Sequence, residues 1–204
     1  LLGSAALAEI GATAALYGLI MNFAFGMNNG LALTVSRCFG AGEREGIRRA
    51  VGWMVTLSAA VSIVLTTVSL LGRGALLQVL QVPAEVWDGA AAYLTVILLG
   101  IPLTMLYNME AALLRAVGNS VTPLLFLLFS SVLNVGLDAA FMGPLGMGVR
   151  GAAVATVLAQ GISAVLGAVY LVRSYPELHF APAHLKKSAR RAVMNMFWAG
   201  MSMA

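Results

Sequence analysis

Charged residues are scarce in this sequence. Asp, Glu, Lys and Arg make up 10% of its 204 residues, whereas soluble globular domains average about 25%. Apolar residues fill the difference and reach 60%. This balance excludes a disordered protein, a nucleic-acid reader and most soluble enzymes, so we expect no nucleic-acid partner. The composition predicts a chain that is surrounded by lipid.

Residues for catalysis or metal binding are equally sparse. The single cysteine, Cys38, can form no internal disulfide, and no second thiol offers a metal site. No Gly-Lys dipeptide occurs, which excludes an ATP-binding P-loop. His179 and His184 lack the spacing of metal ligands. Serines in the apolar segments have no neighbouring His or Lys to activate them, so an intramembrane hydrolase is a weak hypothesis. We expect no enzyme and no cofactor.

One glycine-rich stretch matches a nucleotide-binding pattern by accident. Residues 146–151 read GMGVRG, which fits G-x-G-x-x-G. That motif requires a preceding strand and a βαβ unit. Here it separates two long apolar segments, so we interpret it as a turn.

Five segments contain no charge and are apolar on nearly every face. They cover residues 10–36, 51–72, 89–109, 116–137 and 151–172. About 20 residues of helix cross the hydrocarbon core, and a helix of a soluble bundle would show a polar stripe. We therefore predict an all-α integral membrane protein, a polytopic helix bundle. Its spans are expected near 10–36, 51–72, 89–113, 120–142 and 151–172.

Basic residues are distributed unequally between the two sides of this predicted bundle. One side holds only Arg73 and Arg150. The other holds Arg37, Arg44, Arg48, Arg49, Arg115, Arg173, Lys186, Lys187, Arg190 and Arg191. The positive-inside rule places the second side in the cytoplasm. Leu1 then lies on the outer side.

This orientation predicts that the chain is a fragment. An outside start without an initiator Met or a signal peptide is unusual for a complete protein, so we expect at least one earlier span. The bundle is assigned to residues 1–191, of which 173–191 form a cytoplasmic linker. Residues 192–204 are expected to begin the next span.

Two acidic residues lie within the predicted spans, where an ionisable group is costly and marks a candidate site. Asp138 is expected in the outer half of the membrane, with Asn134 on the same helix face because the two are four positions apart. Their oxygens suit a proton, a hard monovalent cation or a cationic organic ligand. The alternative is that Asp138 lies at the outer interface, solvated or bonded to a neighbouring helix.

Glu110 is the second acidic candidate. It precedes the cytoplasmic end of its span, with Arg115 and Arg37 expected at the same level, so a structural ion pair is the favoured interpretation. Asn108 adds polarity beside it. Asn22, Asn28 and Asn29 on the first span are equally suited to hydrogen bonds between helices and to ligand contacts.

Four motifs in order resemble the multidrug and toxic compound extrusion (MATE) family. Residues 114–123 (LRAVGNSVTP) resemble its "LRA.G…TP" loop, and Asn134–Asp138 resembles "N..LD". Residues 148–160 resemble "GV.GAA.AT…Q", and residues 30–42 resemble the end of the family's second helix. The resemblance covers essentially the whole chain and implies twelve helices in two lobes. This chain is similar to helices two to six of the amino-terminal lobe, so the second lobe is an expected partner.

The resemblance also implies residue roles. Asp138 matches the carboxylate that binds Na⁺ or H⁺, Asn134 its amide partner, and Thr156 the hydroxyl that completes the site. Asn108 corresponds to an asparagine of the fourth helix near that site. The family's first helix carries a further aspartate, which this chain lacks.

The implied activity is antiport without ATP. Entry of Na⁺ or H⁺ would drive export of amphipathic, often cationic compounds across a prokaryotic inner membrane, in contact with membrane lipid. Two alternatives remain open. A lipid-linked oligosaccharide flippase of the same superfamily would favour a wide cationic cleft. A non-transporting membrane scaffold would need no buried Asp–Asn–Thr cluster.

Overall fold

Every element of the described chain is helical. The computed structural model describes residues 4–179 and 190–203. The α-helices are α1 (Ser4–Gly40), α2 (Arg44–Leu71), α3 (Arg73–Val79), α4 (Trp87–Ala116), α5 (Val121–Met142), α6 (Gly148–Ser174) and α7 (Arg190–Met203). Short 3₁₀ helices cover Ala84–Val86 and Pro176–Leu178. No strand occurs within the described ranges, which confirms the all-α class.

Each predicted span lies within one long helix. The segments near 10–36, 51–72, 89–113 and 151–172 fall inside α1, α2, α4 and α6, and that near 120–142 corresponds to α5. In the described part of the chain, four helices are long and apolar enough to cross a membrane. They are α2, α5, α6 and the helical stretch Ala84–Ala116, which contains α4. The linker predicted at 173–191 lies partly outside the described residues, as do His184, Lys186 and Lys187.

Helix α4 is the central element of the bundle. It packs against α1, α2 and α6, and its buried side chains include Leu94, Leu98 and Ile101. Helix α5 is peripheral, since it packs mainly against α6 and buries only Pro123 and Ser130. Its outward leucines are more than half exposed, an arrangement that suits lipid or another protein surface and not water.

Glycines with positive φ shape two of the turns between the long helices. Gly118 has φ +84° and follows the end of α4, where the Asn119 N–H donates to the Leu114 carbonyl over 2.9 Å. This is a Schellman ending, which favours glycine because of its left-handed backbone. Gly146 and Gly148 also have positive φ in the turn between α5 and α6. No strand precedes that turn, in agreement with its interpretation as an accidental motif match.

Contacts place three segments that were predicted to be cytoplasmic at one end of the bundle. The turn after α1 and the start of α2 share a cavity of about 440 Å³ with Pro176 and Glu177, which follow α6. Asn119, in the turn before α5, donates a hydrogen bond to the Tyr175 hydroxyl over 2.9 Å. At the opposite end, Arg73 donates to the Thr95 hydroxyl over 2.6 Å.

Candidate cation site and polar contacts of the bundle

Asn134 and Thr156 are joined across the α5–α6 interface. The Asn134 amide donates to the Thr156 hydroxyl over 3.4 Å, and that hydroxyl donates to the Ala152 carbonyl over 3.0 Å. Because the turn between α5 and α6 is short, the two helices run antiparallel. The Asn134 and Thr156 side chains meet in the half of the bundle that is nearer to this turn. The structure therefore brings together two of the three residues that the resemblance assigns to one site.

Asp138 lies one helical turn beyond Asn134 on α5. Its side chain is half-buried, and its buried Oδ1 has no hydrogen-bond partner among the described residues. Its carboxylate charge acts on Tyr93 of α4, which also interacts electrostatically with Tyr17 of α1. A buried oxygen without a partner is uncommon and calls for an explanation. An exchangeable cation or proton at this oxygen would supply one.

The donor set fits a hard monovalent cation or a proton. Asp138, Asn134 and Thr156 offer a carboxylate, an amide and a hydroxyl oxygen on adjoining helices. Within the described ranges, no group of three or more His, Cys, Asp or Glu residues is arranged to hold a metal ion. Oxygen donors of this kind favour a hard cation over a soft transition metal.

A second polar contact links α4, α6 and α1, and it was not predicted from the sequence. The Thr104 hydroxyl donates to Gln160 Oε1 over 2.6 Å, and Gln160 Nε2 donates to the Tyr17 hydroxyl over 3.3 Å. Gln160 stands out in the sequence as an uncharged polar residue within an apolar span. Its partners depend on how helices far apart in the chain are aligned, so the sequence could flag the residue but not the contact.

Asn108 takes part in a different set of contacts from Asp138. Its amide donates to the Thr104 carbonyl over 2.8 Å on its own helix. It lines a cavity of about 460 Å³ between α1, α4 and α5, together with Asn22, Tyr107 and Arg115. None of the hydrogen bonds described for Asn108 reaches Asp138, Asn134 or Thr156.

Asn28 makes the helix–helix contact that was one of its two predicted roles. It is fully buried on α1 and accepts a hydrogen bond from the Ser58 hydroxyl of α2 over 3.0 Å. Its amide donates to the Ala24 carbonyl over 2.9 Å and to the Met105 carbonyl of α4 over 3.4 Å. Asn28 thus ties three helices together.

Glu110 does not form the ion pair expected from the sequence. Arg115 donates instead to Asn29 Oδ1 over 3.0 Å, and its guanidinium lies 5.3 Å from the centre of the Phe25 ring. Glu110 is 4% exposed and its Oε1 has no partner among the described residues. The prediction was wrong because the Glu110 side chain faces α6 at Gly167, while Arg115 binds α1.

Comparisons with known proteins agree with this architecture. The chain is 31% identical over 173 residues to the probable multidrug resistance protein YpnP of Bacillus subtilis (strain 168), which covers 85% of this chain and 39% of that protein. It is 32% identical over 139 residues to the probable multidrug resistance protein NorM of Thermotoga maritima, covering 66% and 30%. The chain thus spans about two fifths or less of the length of these relatives.

Solved structures match over nearly the whole described bundle. A crystal structure of MATE in the straight conformation superposes with a TM-score of 0.88 at 26% identity and covers 98% of this chain and 44% of that one. An outward-facing multidrug resistance MATE family transporter gives a TM-score of 0.88 at 25% identity, covering 99% and 46%. Long apolar helices and these matches define an integral membrane protein. The chain belongs to the MatE family, whose model matches residues 1–140.

Proposed function

We propose that this chain forms the amino-terminal lobe of a cation-coupled antiporter that exports amphipathic, often cationic compounds. Its multidrug resistance relatives support the export of such compounds. The observation that carries the coupling role is the Asp138 carboxylate, which has an unpartnered buried oxygen one turn from the Asn134–Thr156 hydrogen bond. The protein would work in a prokaryotic inner membrane, against lipid and the second lobe of the same protein.

The coupling step follows from the charge of Asp138. Binding of Na⁺ or H⁺ neutralises the carboxylate, and removing a charge from a low-dielectric site changes which hydrogen bonds and helix contacts are favoured. Asn134 and Thr156 hold the α5–α6 interface beside it, so a change at Asp138 acts directly on that interface. The ion gradient then drives the change between outward and inward openings, and no ATP is required.

The flippase alternative has less support in these residues. A cleft that binds anionic headgroups needs cationic side chains within the membrane, and the five predicted spans contain no Lys or Arg. Arg115, just beyond the third span, is already bound to Asn29 and Phe25. A scaffold without transport activity would give no role to the unpartnered Asp138 oxygen.

Efflux by cells tests this proposal. The full-length protein with Asp138→Asn is expected to insert normally and to lose the export of a cationic dye. Unchanged dye export at equal protein levels would show that Asp138 is not the coupling residue.

A further inference from the structure

We propose that Glu110 is a second proton-binding site, located in the α4–α6 seam near the cytoplasmic end of the bundle. The α4–α6 seam is the contact between these helices at Gly100 and Val157, Leu103 and Gly161, Thr104 and Gln160, and Glu110 and Gly167. These pairs stay in step along both helices, so α4 and α6 run side by side in the same direction.

Gly167 is what allows Glu110 into the seam. A Cβ at position 167 would occupy the place of Glu110 Oε2 and would lie 3.4 Å from its Cδ. The carboxyl group therefore packs directly on the α6 backbone. The residue is 4% exposed and Oε1 has no hydrogen-bond partner among the described residues.

A second unpartnered group lies on the same face of α6. Ser163 is four positions before Gly167, about 6 Å along the helix. It is 1% exposed, and its hydroxyl has no partner within the described ranges. Unpartnered buried polar atoms cost about 1–3 kcal/mol each. Leucine or methionine would fill the same space without that cost, so packing alone gives the acid no role.

No neighbouring charge fixes the state of Glu110. The charged or titratable groups of the described residues at this end are Tyr107 and Arg115 of α4, Arg37 and Cys38 of α1, Glu43 before α2, Arg44, Glu45, Arg48 and Arg49 of α2, Tyr170 and Arg173 of α6, Tyr175, Glu177 and His179 after it, and Arg191 of α7. Tyr107 interacts electrostatically with Glu110 and with Arg115. In the described structure none of these groups hydrogen-bonds or ion-pairs with Glu110. Its charge is therefore free to be balanced by a proton.

A proton suits this position better than Na⁺. One carboxylate oxygen suffices to bind a proton, whereas a metal ion needs several oxygens around it. The unpartnered hydroxyl described on this face of α6, that of Ser163, lies a helical turn from Gly167. Protonation converts the carboxylate into a neutral acid with a proton taken from water, and release returns it.

Hydrogen-bonded polar side chains lie between Glu110 and this end of the bundle, beginning about one turn beyond Gly167. The Tyr170 hydroxyl accepts hydrogen bonds from the Asn119 amide and the Thr122 hydroxyl, each over 3.4 Å. The Asn119 amide also reaches the Tyr175 hydroxyl, just after α6 ends. About 16 Å of α6 separates Gly167 from Thr156 at the Asp138 site. The two carboxyl groups therefore belong to opposite halves of the bundle.

Infrared spectroscopy of the full-length protein in lipid tests the protonation directly. We expect a neutral carboxylic acid band that disappears reversibly as the pH rises. Glu110→Gln should lose this band, while Glu45→Gln, at an exposed site, and Asp138→Asn should keep it. Gly167→Ala provides a second test, because its Cβ displaces the carboxyl group and should shift the band and its midpoint.

Two spectroscopic results would overturn the proposal. One is an infrared band of Glu110 that persists at every pH, because Glu110 would then be a permanently neutral acid. The other is a Glu110→Gln spectrum identical to that of the wild type, which would mean that Glu110 stays ionised beside a partner elsewhere in the protein.

Only the part that Glu110 plays in transport rests on the proposed antiport. In proteoliposomes with a proton gradient, Glu110→Gln should slow dye export relative to Glu45→Gln, and equal rates would show that its proton is not coupled. If the wild type itself responds to no ion gradient, the antiport fails. The spectroscopic result for Glu110 would still stand.

Discussion

The Asn134 amide on α5 donates a hydrogen bond to the Thr156 hydroxyl on α6, with 3.4 Å between the two atoms. Thr156 in turn donates to the Ala152 carbonyl, so its hydroxyl is oriented by its own helix. This contact connects the face that carries Asp138 to α6. An ion bound at Asp138, as proposed, would therefore act on the α5–α6 interface.

Removing the Thr156 hydroxyl should weaken ion coupling. Thr156→Val keeps the shape but cannot accept the Asn134 hydrogen bond, which is worth about 0.5–1.5 kcal/mol. We expect the Na⁺ or H⁺ concentration needed for half-maximal dye export to rise about 2- to 10-fold. Thr156→Ser keeps the hydroxyl and should resemble the wild type. Equal behaviour of the two variants would exclude Thr156 from the site.

Gln160 should contribute to stability through its two partners. Gln160→Leu leaves the Thr104 and Tyr17 hydroxyls without this contact, and we expect a loss of about 1–3 kcal/mol in the free energy of unfolding. Unfolding in mixed micelles measures this value. Gln78→Leu, at an exposed position of α3, is the control. A comparable effect at both positions would argue against a specific contact at Gln160.

Asn28 and Ser58 should behave as a coupled pair. Asn28→Leu leaves the buried Ser58 hydroxyl unpaired, so we expect it to destabilise the protein by about 1–3 kcal/mol. In the double variant with Ser58→Ala, the loss should be smaller than the sum of the single losses by about 0.5–1.5 kcal/mol. A double-mutant cycle on the free energy of unfolding provides the test. Strict additivity would mean that the hydrogen bond contributes nothing.

Gly30 should be intolerant of a side chain because α7 packs on it. A Cβ there would meet the backbone of Ala199 and Gly200, and such overpacking costs about 1–3 kcal/mol. A Cβ added at Gly18, on the same helix, would meet nothing within 4 Å beyond its own helix backbone. Gly18→Ala should therefore gain up to about 1 kcal/mol from helix propensity. Thermal unfolding of both alanine variants should give opposite signs, and destabilisation at both would contradict this assignment.

The sequence predicted the features that depend on local pattern. The length of the charge-free segments predicted the helices. The four-residue spacing of Asn134 and Asp138 placed both side chains on one helix face. The contact of Asn134 with Thr156 was accessible only through family resemblance, because it requires the alignment of two helices. The contact of Gln160 with Thr104 requires the same kind of alignment, and it was not predicted. Glu110 shows the limit most clearly, since Arg115 is near it in sequence but lies on another face of α4 and binds α1.

Asp138 is the coupling carboxylate in the proposed mechanism, and export should depend on it. The decisive measurement is dye export by the full-length protein in proteoliposomes, with proton and Na⁺ gradients imposed separately. The chain has one other aspartate, the exposed Asp88, so Asp88→Asn is a matched control. We predict that Asp88→Asn responds to the same gradient as the wild type and that Asp138→Asn responds to neither. Gradient-driven export that persists in Asp138→Asn would contradict the account.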